Sequence, residues 1–239
     1  MKELKSDISV LLNNDVAKNI ASLGFFSNYP LLDYYIENNS ALIFGKSDHL
    51  WAHIISSSPA ELSNLLSRHH NITEYYYSVE EWMIPLIEKF GEIDWIMTTN
   101  RYILDDNIST KKPEIKIIPI DRSYSLYIYE NSDYRKYTSL DYINDRLAND
   151  ISAGIKLHKK LVAWGFTHDD GALGFLHVLK SHRNKGFAEN ILNFLISKKQ
   201  KAGKPAYVNI VSENTHAIKL VEKIGFRFDR RVSWIKLMN

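Results

Sequence analysis

Three strand-like runs in close succession constrain this chain more than any other feature: Ile151–Leu157, Lys160–Thr167 and Gly174–Leu179. A tight turn joins the first two, and Asp169-Asp170-Gly171, a strong hairpin signal, joins the second to the third. Connections this short permit only antiparallel neighbours. After Arg183 the apolar period changes. Phe187, Ile191, Phe194 and Leu195 fall on one stripe of a helix reaching about Lys199. An α/β (α+β) class follows.

The remaining segments extend that pattern. Tyr207–Val211 reads as a β-branched strand, Asn214 opens a helix that Gly225 stops, and Phe226–Phe228 and Val232–Leu237 read as closing strands. Upstream, Ile115–Ile120 reads as a strand and Ser139–Ala148 as a helix. In the first half, Ile8–Leu23 has helical spacing, and Ser40–Phe44 and Leu50–Ser56 read as strands around a turn at Gly45–Asp48. Ser58–Pro59 caps and opens a helix through Leu66. Ser78 with Glu81 reads as a capping box for a helix ending near Phe90–Gly91, and Ile93–Leu104 as a strand. The polar stretch around Asp105–Pro113 reads as a linker.

Charge divides at the same place. Residues 1–112 carry 9 Lys+Arg against 15 Asp+Glu, a net of −6, whereas residues 113–239 carry 21 against 13, a net of +8. Seven of the 10 glycines also lie after residue 112. We therefore expect an N-terminal α/β domain over 1–112 and a second domain over 113–239. A basic half suits an anionic partner, and two solvated faces of opposite sign would serve as well. With Cys at 0, disulfides, thiolate zinc sites and a cysteine nucleophile are excluded. No run of roughly 18 apolar residues suggests a membrane span, and the first residues lack a secretory apolar core, so a cytoplasmic setting is expected.

The segment from Val178 to Ala188 carries the chemistry. It leads from a strand into a helix, with Gly186 in the tight turn and Ala188 in the first helical turn. Free amides and the helix dipole at such a junction favour an anion, and Arg183 and Lys185 add positive charge. This loop resembles the R/Q-x-x-G-x-G/A signature of the GNAT N-acetyltransferase superfamily. Leu161–Trp164 followed by Gly171-x-x-Gly174-Phe-Leu-His-Val178 is similar to that family's third and fourth strands. Asn214-x-x-Ala217-x-x-Leu220-Val-Glu-Lys-x-Gly225-Phe226 resembles its N-x-x-A-x-x-L-Y-E-K-x-G-F element. The strand pattern is most similar to the glycine N-acyltransferase-like branch, whose members carry an extra N-terminal half; here the first half reads as a degenerate copy of the fold.

The resemblance implies a GNAT fold with a mixed, mostly antiparallel sheet that splays at an acyl-CoA site, and transfer of an acetyl or other short acyl group to a primary amine by direct attack in a ternary complex. Backbone groups of Leu176, His177 and Val178 would pair with the pantetheine arm. Amides across Arg183, Asn184, Lys185, Gly186, Phe187 and Ala188 would hold the pyrophosphate. Asn214 matches a family position that contacts the cofactor, and Asn is equally a favoured helix cap. An alkylammonium pKa of roughly 10 requires a proton acceptor, for which His177 and then Glu213 are candidates. Val221 stands where the family usually has a tyrosine acid; Tyr207, His216 or a first-half tyrosine would have to replace it. Acetyl-CoA is the expected co-substrate, without a metal, and the expected partner is a small-molecule amine, with the chain a monomer or homodimer. Tyr29, Tyr34, Tyr35 and Trp51 are candidates for lining the amine pocket.

Other readings compete less well. Gly45-Lys46-Ser47 lacks the upstream glycine of a phosphate-binding loop, since position 40 is Ser40. His49, His53, His69 and His70 lack metal-ligand spacing and read as packed or surface histidines. Tyr75–Tyr77 reads as half core and half surface. A nucleic-acid binder would use Lys198, Lys199, Lys201, Lys204, Arg227, Arg230 and Arg231. A catalytically inactive CoA-binding sensor is the third class, because Val221 cannot donate a proton.

Overall fold

The computed structural model describes residues 6–132 and 135–238. Elements run in the order α1 (Ser6–Asn13), α2 (Ile20–Asn28), β1 (Leu31–Glu37), β2 (Ser40–Lys46), β3 (Leu50–Ile55), α3 (Pro59–His69), β4 (Tyr75–Glu80), α4 (Ile84–Ile87) and β5 (Ile93–Leu104). They continue with α5 (Ser125–Glu130), α6 (Leu140–Asn149), β6 (Ser152–Leu157), β7 (Lys160–Thr167), β8 (Leu173–Val178), α7 (Phe187–Lys201), β9 (Ala206–Ile210), α8 (Thr215–Ile224) and β10 (Arg227–Leu237). Seven strands form one sheet in the order β1-β2-β3-β4-β10-β5-β9, and β6-β7-β8 form a second. Pairing is antiparallel between β1 and β2, β2 and β3, and β4 and β10, and parallel between β3 and β4.

Two compact units result: Met1–Arg101 with Asp229–Asn239, and Tyr102–Phe228. The chain thus divides earlier than 112/113, and its end returns to the first unit. The cause is local: Val232–Lys236 of β10 pair with Glu80–Tyr75 of β4. Val232 and Trp234 join the first unit's core around Phe25, Ile43 and Tyr77.

Several expected elements differ. Ile8–Leu23 is two helices, because the Asn19 amide donates to the carbonyls of Leu11 and Leu12 (3.2 and 3.0 Å) and ends α1. Strand β1 went unread. Ser78 is no cap: it lies in β4 with φ 55° and accepts from Arg101 Nη2 at 2.5 Å. Ile115–Ile120 supplies only one bridge, Ile118 to Gly154, and α5 takes the stretch that follows. Phe226–Phe228 and Val232–Leu237 merge, Phe226 excepted, into a single strand, β10. Caps read from sequence hold at Ser58 and Asn214, and Ser139 caps α6 as well, each accepting from a backbone amide in the first turn.

The second unit's core has two faces. Val162 and Ala163 of β7 meet Ile191 and Leu195 of α7 on one side, with α8 contributing Val221. On the other, Trp164 and Phe166 meet Ile128 of α5 and Ile143 and Leu147 of α6. Alternation along β7 is broken once: the β6–β7 register shifts from Ile155↔Ala163 to Lys156↔Leu161, so Val162 and Ala163 join one face while Trp164 and Phe166 take the other.

Candidate acyl-transfer site

Strand β8 ends one sheet and β9 ends the other, so neither has a ladder partner in the other. Unpaired strand edges carry free amide and carbonyl groups, which an extended ligand can satisfy. β8 is also bent. Its pairing with β7 passes from Trp164↔His177 to Phe166↔Gly174, so Phe175 and Leu176 oppose Gly165 alone. Phe175 takes φ 49°, a left-handed conformation costing roughly 1–2 kcal/mol for a side chain with a Cβ. Its ring stacks on Phe166 at 4.2 Å and packs on His168 at 4.8 Å, which holds the bulge. A Cβ on Gly174 would fall 2.2 Å from His168 Nε2, so that position must remain glycine while the ring is there. His177 follows the bulge, half-buried, its ring stacked on Trp164 at 4.5 Å.

The loop beyond β8 is built around its backbone. Arg183 Nε donates to Val178 O at 3.2 Å, folding the exposed side chain back to the end of β8. Asn184 and Gly186 have φ of 61° and 74°. These left-handed residues curl the chain so that successive amides turn outward. Among the described residues, the amides of Asn184 to Ala188 form none of the loop, turn or cap hydrogen bonds. Asn190 anchors the junction, donating from Nδ2 to Gly186 O (3.0 Å) and accepting from Glu114 N (2.7 Å). A five-amide stretch at the start of a 15-residue helix is an anion cradle.

The remaining candidates separate. Asn214 caps α8, its Oδ1 accepting from Ala217 N at 3.2 Å. Glu213 and His216 are exposed around the same helix start. Tyr207 is 1% exposed and its hydroxyl donates to Asp170 O at 2.7 Å. A hydroxyl so buried and already donating is placed as a tether, which weighs against the general-acid role expected for it. Val221 lies in the apolar core and offers no proton. Of the four first-unit aromatics, Tyr29, Tyr34 and Trp51 pack with one core cluster and Tyr35 with another, so they do not line one pocket.

Residues 152–235 match the family model described as FR47-like protein. No curated protein matches the chain. Among solved structures, a Drosophila protein superposes with a TM-score of 0.81 at 18% identity, over 99% of this chain and 97% of its own. A GCN5-related N-acetyltransferase from Kribbella flavida gives 0.63 at 12% identity over 94% and 96%, and one from Sphaerobacter thermophilus 0.55 at 13% over 83% and 76%. The fold is that of the GNAT N-acetyltransferases.

Within this GNAT fold the β7–β8 turn is held by polar contacts that sequence reading missed. Arg146 Nη1 of α6 donates to His168 O (3.2 Å), Tyr207 of β9 to Asp170 O, and Lys199 Nζ of α7 to Gly171 O (2.7 Å). Both cations are buried, and burial pushes the Lys199 ammonium below its usual range. Burial likewise lowers His168 to about 4, with neighbouring Arg146 assisting and Asp169 opposing. The first unit's His53 lies at 0% exposure, its Nδ1 3.1 Å from Ser22 Oγ, and burial lowers it to about 3. The other histidines singled out also pack on rings: His49 on Tyr75, His69 on Tyr35 and His70 on Phe90. Among the described residues no group of three or more His, Cys, Asp or Glu could hold a metal ion, and no helix is long and apolar enough to cross a membrane.

The basic cluster is largely engaged. Lys199 is buried, Arg227 pairs with Asp105, Arg230 with Asp229 and Glu80, and Arg231 with Glu81.

Proposed function

We propose that this chain is an acyl-CoA-dependent N-acyltransferase that moves an acetyl or other short acyl group to a primary amine. The FR47-like match and the GNAT fold support a general acyltransferase. The observation carrying the finer reading is the pair of unpartnered edges, β8 and β9, beside a loop of unbonded amides. The edges suit an extended amide-bearing arm, and the loop suits a pyrophosphate. Kinship with the glycine N-acyltransferase-like branch rests on the Leu161–Trp164 and Gly171–Val178 patterns.

The residues divide the reaction as follows. Backbone groups of Leu176–Val178 orient the arm, and amides from Asn184 to Ala188 hold the phosphates, the Arg183 amide being engaged with Lys180 O at 3.4 Å. His177 accepts the ammonium proton, directly or through one water. The free amine attacks the thioester carbonyl, and an amide near Val178 stabilises the oxyanion. The carbon–sulfur bond then breaks, and the remaining surplus proton on the nitrogen passes to the departing thiolate, giving the neutral amide and free thiol. An alkyl thiol has a pKa of about 8.5, so the thiolate can depart without a tyrosine at position 221.

The test is calorimetric titration with acetyl-CoA, followed by thiol release in the presence of amines. Micromolar binding with amine-dependent release is expected. Absence of acetyl-CoA binding would reject the reading. Binding without release for any amine would favour the inactive sensor, a reading that buried Val221 and committed Tyr207 keep in view.

A further inference from the structure

Strand β9 carries a polar atom that the fold leaves unanswered. Asn209 is half-buried, and among the described residues its buried Oδ1 meets no hydrogen-bond donor. Ala206, Val208 and Ile210 of the same strand pack into the core with Ile191 and Leu195 of α7 and Val221 of α8. Alternation therefore turns Tyr207 and Asn209 to the opposite face. Across the gap, Leu176 and Val178 of β8 join that same core, whereas Phe175 and His177 stack on Phe166 and Trp164 on the other side. His177 and Asn209 thus project on one face, from two strands that share no ladder. Two residues of strand span about 6–7 Å, so Asn209 lies within the gap, on the open side of the Tyr207–Asp170 bond. A buried acceptor left unpaired is unfavourable, and a donor supplied from outside the chain removes that penalty.

We infer that Asn209 Oδ1 is the amine-binding group of the site: it accepts an N–H of the attacking amine and holds the nitrogen towards the acyl carbon. The assignment rests on the acyltransferase reading above. Helices α7 and α8 fill one side of the gap, so an amine reaches it from the side of His177 and Asn209. A primary amine carries at least one N–H as ammonium, as free base and in the product amide, so one oxygen can hold it throughout. A neutral carboxamide suits this task better than a carboxylate. A negative charge beside an ammonium raises its pKa and opposes the deprotonation assigned to His177. An amide oxygen orients the nitrogen with far less opposition. Asn209 has no basic group to take the proton, so β9 positions the amine and β8 receives its proton.

The experiment needs no knowledge of the natural amine. Two CoA thioethers are made, one ending in N-methylacetamide and one in methyl acetate, alike except that an N–H replaces an ester oxygen. Both are titrated calorimetrically into the full chain, beside acetyl-CoA. Wild type should bind the amide probe about tenfold more tightly than the ester probe. Asn209→Leu, similar in shape but without the oxygen, should reduce that preference to within about twofold and leave acetyl-CoA affinity unchanged. Its thermal midpoint should be no lower than that of wild type, because an unpaired buried acceptor has been removed. Asn209→Asp keeps an accepting oxygen and should keep most of the preference. Equal binding of the two probes by wild type would overturn the assignment, as would a preference that survives Asn209→Leu. So would a parallel loss of acetyl-CoA affinity in Asn209→Leu, because the oxygen would then serve the arm. A midpoint well below that of wild type would also overturn it, because the amide would then be structural. If acetyl-CoA binds and the N–H preference is absent, only the role of Asn209 fails; if acetyl-CoA does not bind, the acyltransferase reading fails with it.

Discussion

Gly186 needs its conformational freedom for the backbone it adopts rather than for space. A Cβ there would come no closer than 3.7 Å to Asn190 Nδ2, but φ is 74°. Gly186→Asp should therefore fold, at a strain cost of roughly 1–2 kcal/mol. The new carboxylate would sit beside the proposed phosphates, where like charges about 4 Å apart repel by roughly 4 kcal/mol at an effective dielectric near 20. Discounted to about 2 kcal/mol for solvent, this predicts roughly thirtyfold weaker acetyl-CoA binding. Arg183→Ala should lose less, since backbone amides do most of the holding. Calorimetry on both variants, with circular dichroism to confirm folding, checks this; an unchanged affinity in folded Gly186→Asp would move the cofactor off this loop. His177→Gln should lower kcat by about 10²-fold or more while retaining acetyl-CoA affinity. The loop was legible because glycine and arginine at fixed offsets from a strand leave a local pattern. Phe175 was not, since nothing in Gly-Phe-Leu-His announces a left-handed phenylalanine. Its conformation is imposed by stacking on Phe166 and His168, which are distant along the strand path.

At the scale of elements, helices and hairpins with strong local signals came through: β6, β7 and β8 with their turns, α7 with its stripe, and α3 with its Ser58–Pro59 start. Elements fixed by partners did not. β1 is half-exposed and follows no strict alternation, and Ile115–Ile120 has strand propensity but meets only Gly154. The polar clasp at the β7–β8 turn was likewise invisible, because Arg146, Lys199 and Tyr207 converge from three separate elements. The Tyr207 bond joins the start of β9 to the turn that precedes β8, two strands that share no ladder. Tyr207→Phe leaves the buried Asp170 carbonyl short of its donor, at about 2 kcal/mol. For a chain of this size that lowers the thermal midpoint by about 4–8 °C. Lys199→Met should cost less, because removing a buried ammonium also removes its desolvation penalty. Turnover separates the two roles weighed for Tyr207. As a tether, Tyr207→Phe keeps kcat within a few-fold below its melting range; as a general acid it would lose about 10²-fold or more. A large kcat loss in a well-folded variant would restore the acid role.

Across the whole molecule, each unit holds one imidazole that its surroundings keep neutral: His53, fully buried among Phe25, Phe26 and Tyr77, and His168, partly buried beside Tyr142 and Phe175. Their low folded values, about 3 and about 4, set the sign of the pH dependence. An unfolded histidine titrates near 6.5, so below that pH the unfolded chain takes up protons that the native chain refuses. The stability tied to each group is full above about pH 6.5 and is lost as pH falls toward the folded value. By about pH 5 the loss is about 2 kcal/mol per histidine, a large share of a typical domain's total. Acid should therefore weaken both units well before most carboxylates titrate. Urea unfolding near pH 7 and about pH 5 should show the midpoint falling steeply between them. The first unit offers a control. His53→Phe removes the imidazole but leaves Ser22 Oγ without its 3.1 Å partner. That variant should be less stable near neutrality and decline less on acidification, with its unit's share of the pH dependence gone. A wild-type midpoint that stays level between pH 7 and pH 5 would mean that both rings gain protons without penalty, and that burial at these two positions does not govern their charge.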